Sequence, residues 1–302
     1  MPALVKPPSI SWVEVLKRTW KEAHRDDVWG RSAELSYYFL LSLFPLLICM
    51  IALLRVFSDA GAHLRQEVML FFVRVLPVST SELIQKTLGE VNEAHSGSKL
   101  SFGLLFSIWT ATAGMSAVME TLNAAYEVRE TRSFVRRNAI AIGLTLVTAA
   151  LMLAAAAIVV TGASATPAPE RLTLIILLKA AEWFAAISLV LLGFALLYFL
   201  APDIKQQKWH WVTPGAVAGL MLWLLASIAL RIYLYFFDTY SLTYGSLGAV
   251  IILMLWFYLT GASVLIGAEI NSVIEDAAAR EGAPDAKRKG ETAPGEPRPA
   301  HR

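Results

Sequence analysis

Apolar residues gather in six long blocks along the chain, at 37–54, 100–119, 138–161, 172–200, 212–236 and 247–268. Polar and charged residues are confined mostly to the segments between them. The last block counts 22 residues, which at ~1.5 Å rise per residue spans about 33 Å, the thickness of a bilayer's hydrocarbon core. Helices of soluble proteins seldom run so far without a charge. A membrane β-barrel would instead show alternating segments of about ten residues. The pattern predicts an all-α, polytopic membrane protein with six transmembrane helices.

The intervening segments divide the chain further. Residues 11–25 open with Ser11 and Glu14 at capping-box spacing and carry Trp12, Leu16, Thr19, Trp20 and Ala23 on one face. This predicts, within a cytoplasmic segment 1–36, an amphipathic helix that lies on the anionic inner leaflet or packs under the bundle. Loop 55–99 is too long for a plain connection. It places Val68, Phe71, Phe72 and Val75 on one stripe, stops at Pro77, and restarts at a second Ser79–Glu82 capping box. An extracytoplasmic helical hairpin is therefore expected between the first two spans, as a lid or as packing over the bundle's mouth. The membrane domain runs from 37 to 276, and the Pro-, Gly- and charge-rich tail 277–302 has too little apolar content to fold.

Composition agrees with the blocks. The chain is 56% hydrophobic and 17% charged, with mean hydropathy +0.56, where a soluble domain carries about 25% charge. Cys49 is the only cysteine, so an intramolecular disulfide and a CxxC redox or metal motif are both ruled out. The first apolar block follows a long charged segment and reads as an uncleaved anchor, not a cleaved signal. Alternate segments outside the spans hold eighteen Lys and Arg against six. The positive-inside rule then puts both termini, and the loops after the second and fourth spans, in the cytoplasm.

Small residues and intramembrane charges supply candidate sites. Gly215 and Gly219 form a GxxxG pair, and Ser263 with Gly267 repeats the spacing in the last span; in lipid, such residues let helix backbones touch. Lys179 and Glu182 are three apart on one helical face and can pair. With Arg231 they are candidates for a polar path from the outer side, or for an internal ion pair and a snorkelling arginine. Glu269 and Asn271 stand where that path would close at the inner end. Arg129, Arg132, Arg136 and Arg137 crowd one inner loop and are candidates to face anionic lipid headgroups.

Three segments, "AELSYYFLLSLFPLLI" (33–48), "LNAAYEVRETRSFVRR" (122–137) and "TYGSLGAVIILMLWFYLTGASVLIGAEIN" (243–271), resemble the YihY/BrkB family of bacterial inner-membrane proteins. The resemblance runs from about residue 11 to residue 276. It implies six membrane helices, a plasma-membrane location and transport-like roles that include envelope lipid export. Members have also carried the name ribonuclease BN. That chemistry needs clustered metal ligands, whereas His24, His63, His95, His210 and His301 are scattered. No Walker A loop, GxSxG elbow or HExxH motif occurs either. The sequence thus leads us to expect no enzyme, no cofactor or metal, no nucleic-acid partner, and membrane lipids as partners, with homo-oligomerisation left open. The favoured function is a transporter-like protein that moves a lipid or other amphipathic or anionic envelope compound. The alternative is a non-transporting scaffold for envelope partners.

Overall fold

A computed structural model describes residues 10–56, 112–164, 172–205, 213–236, 246–283 and 286–294. Among the described residues all regular secondary structure is helical, in seven helices. These are α1 (Trp12–Arg25), α2 (Val28–Val56), α3 (112–125), α4 (Phe134–Ser164), α5 (Leu172–Leu200), α6 (Pro214–Phe236) and α7 (Ser246–Arg280). Four stretches are long and apolar enough to cross a membrane: Phe134–Val159, Ile175–Leu200, Pro214–Phe236 and Val250–Arg280. They coincide with the last four apolar blocks. The hairpin expected in loop 55–99 lies outside the described residues from 57 onward, as does the first half of the second expected span, so the count of six stays an expectation.

Helix ends follow local chemistry. Ser11 caps α1 by accepting the Glu14 N–H at 3.2 Å. The reciprocal half of the capping box is missing, because the Glu14 carboxylate pairs with Arg18 at 2.8 Å, one turn on. Only Asp26 and Asp27 separate α1 from α2. Asp27 turns the chain in the left-handed region (φ 50°), where Asp is among the tolerated residues, and its carboxylate accepts the Gly30 N–H. Pro214 opens α6 at the position where a missing N–H costs nothing, and the Thr213 hydroxyl accepts the Ala216 N–H at 3.1 Å.

Packing centres on α7, which contacts α6, α2 and α1, while α4 pairs with α5. Leu35, Met119, Leu122, Leu144, Tyr198 and Leu265 are fully buried in one core shared by α2, α3, α4, α5 and α7. Outward-facing positions stay apolar: Ile176, Leu177 and Phe184 on α5 and Leu225, Ile228 and Ile232 on α6 are exposed, as lipid-facing side chains must be.

α1 packs on the bundle by one side, which takes Thr19 and Ala23 away from the face shared with Trp12, Leu16 and Trp20 in the sequence reading. Val15, Thr19 and Ala23 are buried, with Val15 set against Ile270 and Val273 of α7. Trp12, Leu16 and Trp20 remain exposed beside them.

The tail departs from its expectation. α7 continues to Arg280, and residues 286–294 lie back against the bundle. Lys287 is buried and pairs with Glu275 at 2.7 Å, and the Lys205 N–H bonds the Thr292 carbonyl. Ion pairs and backbone hydrogen bonds to the helices replace the apolar burial that the tail's composition lacks.

Candidate functional site

The small-residue positions come together. Gly215 and Gly219 of α6 face Ser263 and Gly267 of α7 so closely that a Cβ at Gly219 would lie 3.1 Å from the Ser263 carbonyl, and one at Gly267 2.6 Å from the Gly215 carbonyl. Asn271 seals this contact. Its carbonyl oxygen accepts the Gly215 N–H at 2.8 Å, and its amide donates to the Thr213 hydroxyl at 3.0 Å. Tyr198 reaches in from α5 and donates to the Val264 carbonyl at 2.8 Å. Asn271 therefore caps α6 and ties it to α7.

The expected polar path is not assembled among the described residues. Lys179 and Glu182 pair at 3.0 Å on α5, partly buried, but they lie ~28 and ~24 Å along the helix from Tyr198. Arg231 is exposed on α6, ~24 Å from Gly215. Glu269 and Asn271 sit at the opposite end of the bundle, Glu269 fully buried. No described cavity joins the two groups.

The loop arginines also separate. Arg129 and Arg136 are exposed, beside the exposed Phe134 and Val135 at the start of α4, an arrangement suited to a headgroup layer. Arg132 is not available to lipid: its side chain is 6% exposed. It pairs with Glu130 at 2.6 Å and donates to the Ala201 carbonyl at 2.7 Å and the Leu200 carbonyl at 3.2 Å. The orphan carbonyls at the end of α5 thus take up the guanidinium that the sequence assigned to headgroups. Asp203 completes the knot, accepting from both the N–H and the hydroxyl of Thr131 at 2.6 Å. Partial burial works against a charged Glu130, but its bonds to Arg132 and Asn123 outweigh it and hold the carboxyl below the usual carboxylate range.

Arg137 belongs to a different feature, a cavity of about 530 Å³ between α2, α3 and α4, whose largely apolar lining carries several polar and charged side chains. α2 supplies Arg31, Glu34 and Tyr38 at i, i+3 and i+7. α3 supplies Thr112, Ser116 and Glu120 at steps of four, and α4 adds Arg137 and Asn138. Arg137 and Glu120 meet at 3.4 Å, and the Arg31 Nε donates to the Asp26 carbonyl at 2.9 Å. From Glu120 to Thr112 the polar wall extends ~12 Å along α3. The cavity pairs two cations with two carboxylates at one end and offers hydroxyls deeper in. Apart from Arg137, sequence reasoning missed its residues. The signal was there in the helical spacing of Arg31, Glu34 and Tyr38, just before the apolar run.

Fold and cavity together define a polytopic helical membrane protein with a pocket between three helices. Comparison with known proteins makes this specific: the chain belongs to the Virulence factor BrkB family, whose pattern matches residues 19–291. It is 35% identical over 251 residues to a ribonuclease-like protein, YfkH, of Bacillus subtilis, covering 81% of this chain and 89% of that protein. It is 30% identical over 281 residues to a UPF0761 membrane protein of Cronobacter sakazakii, covering 89% and 90% of the two chains. A UPF0761 membrane protein of Pseudoalteromonas atlantica matches at 26% identity over 290 residues. No solved structure matches.

Proposed function

We propose that this protein is a transporter-like component of the bacterial inner membrane. In this reading it takes an amphipathic, anionic envelope compound from the inner leaflet into the cavity between α2, α3 and α4. Both termini are cytoplasmic, following the distribution of Lys and Arg, so Arg31 and Arg137 stand at the inner headgroup level. The observation that carries the reading is the cavity itself. Its volume of about 530 Å³ falls within the ~300–1,000 Å³ of small-ligand pockets. One end sets Arg31 and Arg137, for an anionic group, beside Glu34 and Glu120, of which Glu120 pairs with Arg137, and the wall adds the Ser116 hydroxyl for polar substituents.

The role is one of binding and movement without covalent chemistry, so the ribonuclease-like name of YfkH describes that relative alone. Incubating purified protein with labelled RNA and divalent metals should yield no cleavage above a mock preparation. The scaffold alternative would recruit partners through the tail and the outer helices; Lys287 and Lys289 hold the tail against the bundle, and the outer helices lie outside the described residues. The binding test is native mass spectrometry of the protein released from membranes. Wild type should retain anionic lipid or an anionic lipid-linked species, and Arg31→Ala with Arg137→Ala should lose it. Equal retention by the double variant would refute the cavity assignment.

A further inference from the structure

A second cluster stands outside that cavity, where α1, the α3–α4 loop, α7 and the tail meet. Lys289 of the tail places its Nζ 2.9 Å from Glu22, 3.3 Å from Asp26, 3.2 Å from Glu269 and 3.7 Å from Glu127. Arg25 contributes the other cation, pairing with Glu22 at 2.8 Å, with Asp26 at 3.2 Å and with Glu127. Glu22, Asp26 and Glu127, together with the fully buried Glu269, therefore face two cations, and the three partly exposed carboxylates alone leave one negative charge in excess at a site whose side chains are at most 23% exposed, Arg25 apart.

Neighbouring groups do not cancel that excess. Arg18 and Arg280 help close a cavity of about 140 Å³ beside the cluster, but Glu14 neutralises the first and Asp276 the second, each at 2.8 Å. Partly buried carboxylates without compensating charge are costly. Oxygen atoms of Glu22, Asp26 and Glu127 lie within 4.8 Å of one another, close enough to share one ion. A separate observation points the same way. Glu269 is fully buried, one of its oxygens bonds Lys289, and the other has no hydrogen-bond partner.

We propose that Glu22, Asp26 and Glu127, backed by Glu269, form a divalent-cation site for which Lys289 is a tethered competitor. An all-carboxylate donor set selects a hard cation, Mg²⁺ or Ca²⁺. With Lys289 displaced, Glu22, Asp26 and Glu127 outnumber Arg25 by two charges, which a divalent ion supplies, and its arrival displaces the ammonium and with it the tail. Lys289 stays charged in its present place: burial opposes the ammonium, but Glu269, Glu22 and Asp26 hold its pKa above the ordinary lysine value. The site is thus closed by a cation on a tether and opened by a cation from solution. Asp26 also links it to the first cavity, since its backbone carbonyl holds Arg31.

The test uses the full chain in nanodiscs and Mn²⁺ as an EPR-visible probe, with Mg²⁺ and Ca²⁺ as competitors. Lys289→Gln should bind one Mn²⁺ at least about tenfold more tightly than wild type, and adding Glu22→Gln with Glu127→Gln should reverse that gain. A Lys289→Gln protein that binds no better than wild type, or binding indifferent to the Glu22 and Glu127 changes, would overturn the proposal. A second readout needs no change in the cluster. A spin label at Arg288→Cys in a Cys49→Ala background should become mobile on adding Mg²⁺ but not NaCl of equal ionic strength. Equal mobilisation by both salts would mean simple screening of ion pairs and would also overturn it.

Discussion

Replacing Gly215 with alanine adds a single methyl group at the tightest helix contact described. Its Cβ would fall 2.5 Å from the Asn271 carboxamide and nearer still to the Gly267 carbonyl, where carbon atoms need ~3.5 Å. The backbone of Gly267 cannot rotate away, so α6 and α7 must separate by about 1.5 Å or tilt. Separation lengthens the 2.8 Å bond from the Gly215 N–H to Asn271. Overpacking of this kind costs roughly 1–3 kcal/mol, and weakening an interhelical hydrogen bond in a membrane adds ~0.6 kcal/mol. The sum is about 2–4 kcal/mol. Gly143→Ala is the matched control, because nothing lies within 4 Å of a Cβ there; its effect should stay within about 1 kcal/mol. Both variants would be unfolded in mixed micelles against a common denaturant series, and only Gly215→Ala should shift the midpoint substantially. Equal midpoints for the two would mean that α6 meets α7 through another face, and the packing argument would fail.

Further predictions follow from other contacts. Arg132→Ala strands Glu130 and Asp203 and uncaps α5, which should cost roughly 3 kcal/mol in the same assay, and Arg132→Lys should not restore it because a lysine cannot reproduce the fork to two carbonyls and a carboxylate. Glu130 titrates below its usual range in the folded protein, so its contribution is present above the ordinary carboxylate pKa of 4.5 and lost as pH falls below it; stability of wild type should drop more steeply there than that of Glu130→Gln. Exchanging the charges of Lys179 and Glu182 keeps a pair three residues apart and far from the cavity, so the swapped protein should fold and retain lipid binding, and a folded swap that loses binding would return the pair to the substrate path. Trp12→Ser with Trp20→Ser removes two exposed indoles from α1, which should leave the bundle's stability within ~0.5 kcal/mol while reducing binding of an isolated α1 peptide to anionic vesicles several-fold.

What could be read from the chain was whatever depends on neighbours in sequence. Long apolar runs give long helices, and α4, α5, α6 and α7 fall on them. The four-residue spacings of Gly215 with Gly219 and Ser263 with Gly267 were visible, although which helix met which was not. What escaped depends on distant partners. Arg132 counts as one more positive charge in an inner loop until the end of α5, 68 residues on, arrives beside it. Lys289 looks like solvated tail until Glu22, 267 residues away, is brought to 2.9 Å. The cavity escaped for a related reason: it is shared by polar stripes on three helices, each unremarkable alone. The two groups of the polar path stand at opposite ends of the bundle, as expected, but no described cavity connects Lys179 and Glu182 with Glu269 and Asn271.

The central claim is that the cavity between α2, α3 and α4 admits an anionic amphiphile and lets it move. A dithionite-quench assay on proteoliposomes with a fluorescent anionic phospholipid measures that movement directly. Wild type should carry label across the bilayer well above protein-free vesicles, and Arg31→Ala with Arg137→Ala should slow it by about tenfold or more, the loss of two charge-assisted contacts. Movement no faster than in empty vesicles, or a double variant as fast as wild type, would contradict the account.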